Sequence, residues 1–346
     1  MVEEMFAYAR KEQIPFIVCG GDQFDSAEFK STELLTRLFG IIKQYRDIFC
    51  IAITGNHDPL TPASIYLRVA PDLYPENFRL VRGEETVDLS DYGCTVYAAS
   101  SVEKRGRVNL LAWIPADEDA AVGTAATVRI GLGHGSLAIP GKFQEDDFPI
   151  ATTFAAERGL DYLALGHWHS FYQADERTCY PGAPLPMKFD EQGSVLDISI
   201  NGPGSIPRIE KAPIEPAYTW EKKEVLLDDG NYRSSLENVS ADKSKTIGEL
   251  TVRGVLSPNT YREAGQIIEG LPASWFSLTV DNRTRIKPSP DEIPTTDDIG
   301  YLRGVIDTLL ERREDEGRAG ENRGGEDVKN RALEKIFLFL SERGLL

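Results

Sequence analysis

All four histidines of the sequence stand in short polar loops, beside Asn and Asp residues. The loops are Gly55-Asn56-His57-Asp58, Gly133-His134-Gly135-Ser136 and Gly166-His167-Trp168-His169, with Gly20-Gly21-Asp22-Gln23-Phe24-Asp25 upstream. A lone histidine is usually a structural residue, but a complete set placed in such loops is the pattern of metal ligation. Imidazole nitrogens mixed with carboxylate and amide oxygens, without thiolate, suit manganese, iron or zinc better than calcium or magnesium. Each residue also has a plainer use. Asp22 could cap a helix, as could Asp25, Asp58 and Ser136, and for Asp25 that use is preferred. Trp168 reads as a packing residue, and Tyr180-Pro181-Gly182 as a turn at the edge of the site.

Elements must carry these loops to one place. Phe16–Cys19, Ile48–Thr54, Val128–Leu132 and Tyr162–Leu165 are apolar runs that end at a glycine or just before one, which predicts buried strands. Between the first two, Leu34, Leu35, Leu38, Phe39 and Ile42 recur at helical spacing. Strand, helix, strand in that order predicts an α/β sheet whose C-terminal loops gather into a single site.

The chain has 346 residues, 41% hydrophobic and 27% charged, which predicts soluble domains with a large core. No apolar run approaches the roughly 18 residues of a membrane span, so a cytoplasmic protein without membrane contact is expected. Cys19, Cys50, Cys94 and Cys179 form no C-x-x-C pair and read as buried thiols of a reducing compartment. The net charge of −17 runs against a nucleic-acid partner, although a bound cation can hold phosphate locally.

The ordered set GD-x-x-D, GNHD, GH and GH-x-H, each at a strand end, resembles the calcineurin-like metallophosphoesterase superfamily. The resemblance implies a metallophosphoesterase sheet core with flanking helices and two divalent ions, Mn2+ in preference, that drive in-line attack of water on a phosphoester. It implies that Asp22 bridges the ions, that Asn56, His134 and His167 complete the shell of the second, and that His169 belongs to the first. His57 would stabilise the phosphoryl group or protonate the leaving oxygen, and Asp58 would hold its ring.

One departure stands out. The superfamily carries an Asp-x-His motif about thirty residues before GD, and none occurs in Met1 to Gly21. The first ion would then keep only Asp22 and His169, with one site fully liganded. The central strand that bears that motif would also be lacking, and a start codon assigned too late is the expected cause.

Leu165 to His169, followed by Cys179-Tyr180-Pro181-Gly182-Ala183-Pro184, resembles the SbcD-like DNA-repair exonuclease branch. The boundaries expected are a phosphoesterase domain over 1–215, a small α+β capping domain over 216–288 and a linker with a helical C-terminal tail over 289–346. Strands are predicted over Val195–Ile200, Ile206–Ile214, Tyr218–Leu227, Ile247–Leu256 and Trp275–Asp281, and a helix over Asn259–Ile268. Lys287–Asp298 reads as the linker. Apolar stripes at Leu302, Val305, Ile306, Leu309 and Leu310, then at Val328, Ala332, Leu333, Ile336, Phe337 and Leu340, predict two amphipathic helices. They would fold back on the chain or, as the resemblance implies, grip an SMC-like ATPase. DNA is the implied substrate and a homodimer is compatible with this; Arg253, Arg262, Arg283, Arg285 and Lys287 are the basic residues of the capping domain, and a solvated face explains them as well as DNA contact does. The alternatives are a scaffold of such a complex with impaired catalysis, and a phosphatase or phosphodiesterase for small nucleotides or phosphoproteins.

Overall fold

The computed structural model describes residues 1–28, 31–116, 127–189, 193–214, 218–287, 300–317, 331–333, 335–340 and 343. It divides into two units, Met1–Pro216 and Ala217–Leu346.

The first unit begins with helix α1 (Val2–Lys11), strand β1 (Phe16–Cys19), helix α2 (Glu33–Gln44), and strands β2 (Phe49–Ala52) and β3 (Phe78–Leu80). These strands form a parallel sheet in the order β1-β2-β3, with β1 at its edge. Strands β4 (Glu84–Leu89), β5 (Cys94–Ala99), β6 (Val128–His134) and β7 (Tyr162–Gly166) follow, with the short helix α3 (Phe154–Glu157) before β7. With β8 (Tyr172–Gln173) and β9 (Thr178–Tyr180) they make a sheet in the order β4-β5-β6-β7-β9-β8, parallel from β5 through β9. Strands β10 (Leu196–Ser199) and β11 (Arg208–Lys211) pair antiparallel.

Strand periodicity explains how the layers pack. Cys50 and Ala52 face α1 and α2 in a core with Phe6, Leu35, Phe39 and Ile42. Their neighbours Ile51 and Ile53 face the second sheet and share a core with Val96, Ile130, Leu132 and Tyr162. On the far side of that sheet Leu163 and Leu165 pack with Leu111, Ile114 and Phe154. Two sheets thus lie face to face, with helices outside one and loops with α3 outside the other, in the mixed α/β architecture expected.

Several boundaries differ from the sequence reading for physical reasons. Strand β6 runs through Gly131 and Gly133 to His134 and is buried along its whole length. A Cβ at Gly133 would meet Leu111 at 2.6 Å, so here glycine permits close packing of a strand and does not end it. Helix α1 was not anticipated. Its first turn carries Glu3 and Glu4 and its last Arg10 and Lys11, signs that complement the helix dipole, while Phe6 and Ala9 anchor it. Strand β4 of the β4–β5 hairpin was also missed, because charged residues alternate with Val87 and Leu89 and leave no apolar run.

The second unit contains β12 (Thr219–Leu227), α4 (Tyr232–Glu237), β13 (Thr246–Leu256), α5 (Pro258–Gly270) and β14 (Ser277–Ile286). Its three strands are parallel in sequence order. Leu227, Leu250, Val252 and Leu256 pack against Leu236, Ala264 and Ile268 of the helices. Helix α4 falls between the strands predicted over Tyr218–Leu227 and Ile247–Leu256, where no element was expected. Helix α6 (Gly300–Gly317) and helical residues 331–333 and 335–340 follow. Ile306, Leu333, Phe337 and Leu340 are buried together with Ile286, so the described parts of the two stripes pack on their own unit. The expected linker, Lys287–Asp298, lies outside the described residues from position 288 on, as do Val328 and the side chain of Leu310. Among the described residues no helix is long and apolar enough to cross a membrane.

Candidate metal centre

Four strand ends supply the site. β1 delivers Asp22, β2 delivers Asn56, β6 ends on His134, and β7 is followed at once by His167. Their approach needs glycine at two places: a Cβ at Gly55 would strike the Asp22 carboxylate, and one at Gly166 would strike the Gly20 carbonyl. Asp22 at φ 54° and His167 at φ 104° hold left-handed backbone without being glycine. Such conformations cost about 1–3 kcal/mol each and persist where the surroundings impose them.

The side chains converge. Asp22, His134 and His167 offer ligand atoms that all lie within 4.8 Å of one another. Asn56 Oδ1 stands between the rings, 2.8 Å from His134 Nε2 and 3.0 Å from His167 Nδ1. Asp22 Oδ2 is 3.3 Å from His134 Nε2. On its outer side His134 donates from Nδ1 to the Gly20 carbonyl at 2.7 Å. A carbonyl only accepts, so Nδ1 carries the hydrogen and the Nε2 of a neutral ring presents a lone pair inward. With that ring neutral, acceptors face acceptors, and a proton on Nε2 or a bound cation relieves the arrangement. The donor set fits a divalent transition-metal ion.

Electrostatics agree with this assignment. Burial pushes the Asp22 carboxyl up, but a hydrogen bond and positive charge from His134 in its protonated form, with the His57 backbone N–H, outweigh burial and hold it below the usual value, so the position favours positive charge. Burial and the charge of His134 push His167 down, with Asp147 and Asp22 opposing, which favours the neutral ligating form.

Other expected residues stand elsewhere. Asp58 is fully buried and accepts from the backbone N–H of Asp22 at 3.1 Å, Gly55 at 2.7 Å and Phe24 at 3.3 Å, and from Tyr66 Oη at 3.1 Å. Its oxygens are engaged by those donors, which corrects the expectation that it holds the His57 ring. Asp25 faces that ring instead, with its carboxylate 3.4 Å from Nδ1. Burial, with the charge of Asp22, raises the Asp58 carboxyl against its backbone partners. His57 is partly exposed beside Asn56, while its backbone N–H donates to Asp22 Oδ1 at 2.8 Å. His169 is exposed and its carbonyl accepts from Ala183 N–H at 2.7 Å; the three-residue cluster does not include it. Trp168 stacks on Tyr180 at 4.5 Å and donates to Ser136 at 3.1 Å, a packing role.

Asp147 was missed by the sequence reading. Its carboxylate lies 3.5 Å from His167 Nε2, yet it sits in the acidic run Glu145-Asp146-Asp147 with no motif to single it out. In the second unit Arg253 pairs with Glu224 at 2.8 Å and Arg283 with Asp281 at 2.6 Å, so two of the five expected DNA-contacting cations have acidic partners.

The model of the calcineurin-like phosphoesterase family matches residues 1–171, the segment that contains Asp22, Asn56, His134 and His167. Among curated proteins none matches the sequence.

Proposed function

We propose that this chain, which belongs to the calcineurin-like phosphoesterases through residues 1–171 and is thereby a metal-dependent phosphoester hydrolase, acts on the phosphodiester bonds of DNA as a nuclease subunit of the SbcD-like kind. Asp22, Asn56, His134 and His167 would hold a divalent ion of the manganese type. When bound, the ion supplies Lewis-acid polarisation of a phosphoryl oxygen and makes a bound water more acidic. His57 follows Asn56 on the same loop and is the partly exposed imidazole beside the cluster, suited to meet a phosphoryl oxygen or protonate a leaving oxygen. Its backbone bond to Asp22 fixes the loop.

The DNA reading rests on the resemblance of Leu165–His169 and Cys179–Pro184 to the SbcD-like branch. The two segments on which the branch resemblance rests form one structure: Ala183 N–H bonds to the His169 carbonyl, and a Cβ on Gly182, at φ 80°, would meet that carbonyl at 2.7 Å. An SMC-like ATPase partner would engage the C-terminal helices, where Tyr301 and Phe339 remain exposed.

The test incubates the protein with Mn2+ and, in parallel, linear duplex DNA, single-stranded DNA, a cyclic nucleotide and a phosphopeptide. DNA should be cleaved fastest, with loss on addition of EDTA. Faster turnover of the cyclic nucleotide or phosphopeptide would sink the DNA assignment. A scaffold that binds DNA with little hydrolysis is a second reading, favoured by the exposed His169 outside the cluster. Retarded DNA mobility without cleavage would select it.

A further inference from the structure

We infer that Asp147 is a positioning residue for the metal centre: it holds the Nε2–H of His167 and so turns the Nδ1 lone pair toward the ion. The inference rests on the metal-centre reading above. His134 has a backbone acceptor behind it, the Gly20 carbonyl, which settles its tautomer. His167 uses the opposite nitrogen. Its Nδ1 points inward at Asn56 Oδ1, 3.0 Å away, and its Nε2 points outward at Asp147 Oδ2, 3.5 Å away. A carboxylate behind a ligating imidazole fixes the ring's orientation and makes it a stronger base.

The protein places Asp147 with care. The Asp147 carbonyl accepts from Ser136 N–H at 2.9 Å, and Ile150 N–H returns to the Ser136 carbonyl at 2.9 Å. On the other side Gly106 N–H bonds to the Asp146 carbonyl at 2.9 Å, and Phe148 N–H to the Gly106 carbonyl at 2.8 Å. The next residue, Phe148, is buried and holds a left-handed φ of 52°, a conformation that costs a non-glycine residue free energy. A Cβ at Gly106 would strike the Phe148 ring, and one at Gly135 would strike its carbonyl. Two glycines, four backbone bonds and one strained residue thus fix the backbone around Asp147 and bring its carboxylate up to His167. Arg105 hydrogen-bonds Asp146 at 2.8 Å, and its charge also reaches Asp147.

The experiment uses full-length protein with 15N-labelled histidine, and His167→Gln to assign the resonance among four rings. Long-range 1H–15N spectra of metal-free wild type should show His167 as the Nε2–H tautomer. Asp147→Ala should convert it to a mixture, while Asp147→Asn, whose amide oxygen still accepts, should keep it. Calorimetric titration with Mn2+ should then show affinity weakened about 10- to 100-fold in Asp147→Ala, at an unchanged melting temperature of the metal-free protein. An Nδ1–H tautomer in the wild type, or an Asp147→Ala protein with unaltered tautomer and affinity, would overturn the assignment. The wild-type spectrum decides the tautomer even if Asp147→Ala does not fold. Wild type with the expected tautomer but no uptake of Mn2+ would confirm the hydrogen bond and overturn the metal-centre reading.

Discussion

Two parallel sheets in this molecule end their strands on acidic residues, and they use them in opposite ways. In the second unit Asp228 and Asp229 follow β12. Asp228 Oδ1 accepts from Gly230 and Asn231 N–H at 2.8 Å each, and Asp229 Oδ1 accepts from Ser257 N–H at 2.8 Å. These carboxylates meet donors and hold the turns into α4 and α5. In the first unit Asp22 Oδ2 meets His134 Nε2, the ring nitrogen that also faces Asn56 Oδ1. The non-glycine residues with positive φ differ in the same way: Asp22, Phe148 and His167 cluster around this site, the other is Gln13, and none among the described residues lies in the second unit. Shared strand topology therefore predicts little about function. Unrelieved polarity together with imposed backbone strain separates a ligand site from a cap.

If that distinction holds, the largest loss of stability follows from Asp58, the one acid of the phosphoesterase site that is surrounded by donors. Asp58→Ala leaves three backbone N–H groups and the Tyr66 hydroxyl without their acceptor. At about 1–3 kcal/mol for each buried orphan, with partial relaxation, a loss of about 3–5 kcal/mol is expected in urea unfolding. A drop in turnover with stability unchanged would return Asp58 to the role of orienting His57.

Asp22→Asn should cost the metal-free protein less than Asp58→Ala, because the amide oxygen can still accept from His57 N–H and the new N–H2 can donate to His134 Nε2. The folded state holds the Asp22 carboxyl below its ordinary value, so its charged form is stabilising above the unfolded pKa, and neutralising it at pH 8 without metal should lower the melting temperature by about 2–4 °C, the shift expected for ~1 kcal/mol in a domain of this size. Its affinity for Mn2+ should fall by at least about 100-fold, which is ~2.7 kcal/mol. Unchanged affinity for Mn2+ would mean that the pocket is an ordinary hydrogen-bonded network.

How much of this was legible in the sequence follows from locality. Asp22, Asn56, His134 and His167 each stand within a few residues of a buried strand, so their convergence could be read from strand ends alone. Asp58 could be located but its partners could not, because adjacency to His57 suggested a ring contact whereas the turn points its carboxylate back at Gly55 and across to Asp22. Asp147 lies thirteen positions after His134 in a stretch without regular structure, and its placement depends on Gly106, far away in sequence. Strand β4 and helix α1 were hidden by mixed polarity, since each buries only one face. Arg253 and Arg283 looked available for DNA because their acidic partners lie on a neighbouring strand or two residues away, a distinction composition does not show.

The smallest effect belongs to Asp229, and it tests the other half of the comparison. Burial pushes its carboxyl up, but the Ser257 N–H, the Thr260 and Ser257 hydroxyls and the charge of Lys287 outweigh it, so its pKa lies below the ordinary value. A carboxyl depressed in the folded state contributes stability that is fully present above the unfolded pKa, about 3.9, and is lost as pH falls through the folded one. Asp229→Ala removes the acceptor of the N–H at the start of α5 and should cost about 0.5–1 kcal/mol at pH 7. Amide hydrogen exchange along α5 would read it as faster opening, with Mn2+ affinity unaltered. Below the depressed pKa, wild type and variant should exchange alike, since protonation has already weakened the same bond. An Asp229→Ala protein that protects α5 as well as wild type at pH 7 would show that this carboxylate does not hold the start of the helix.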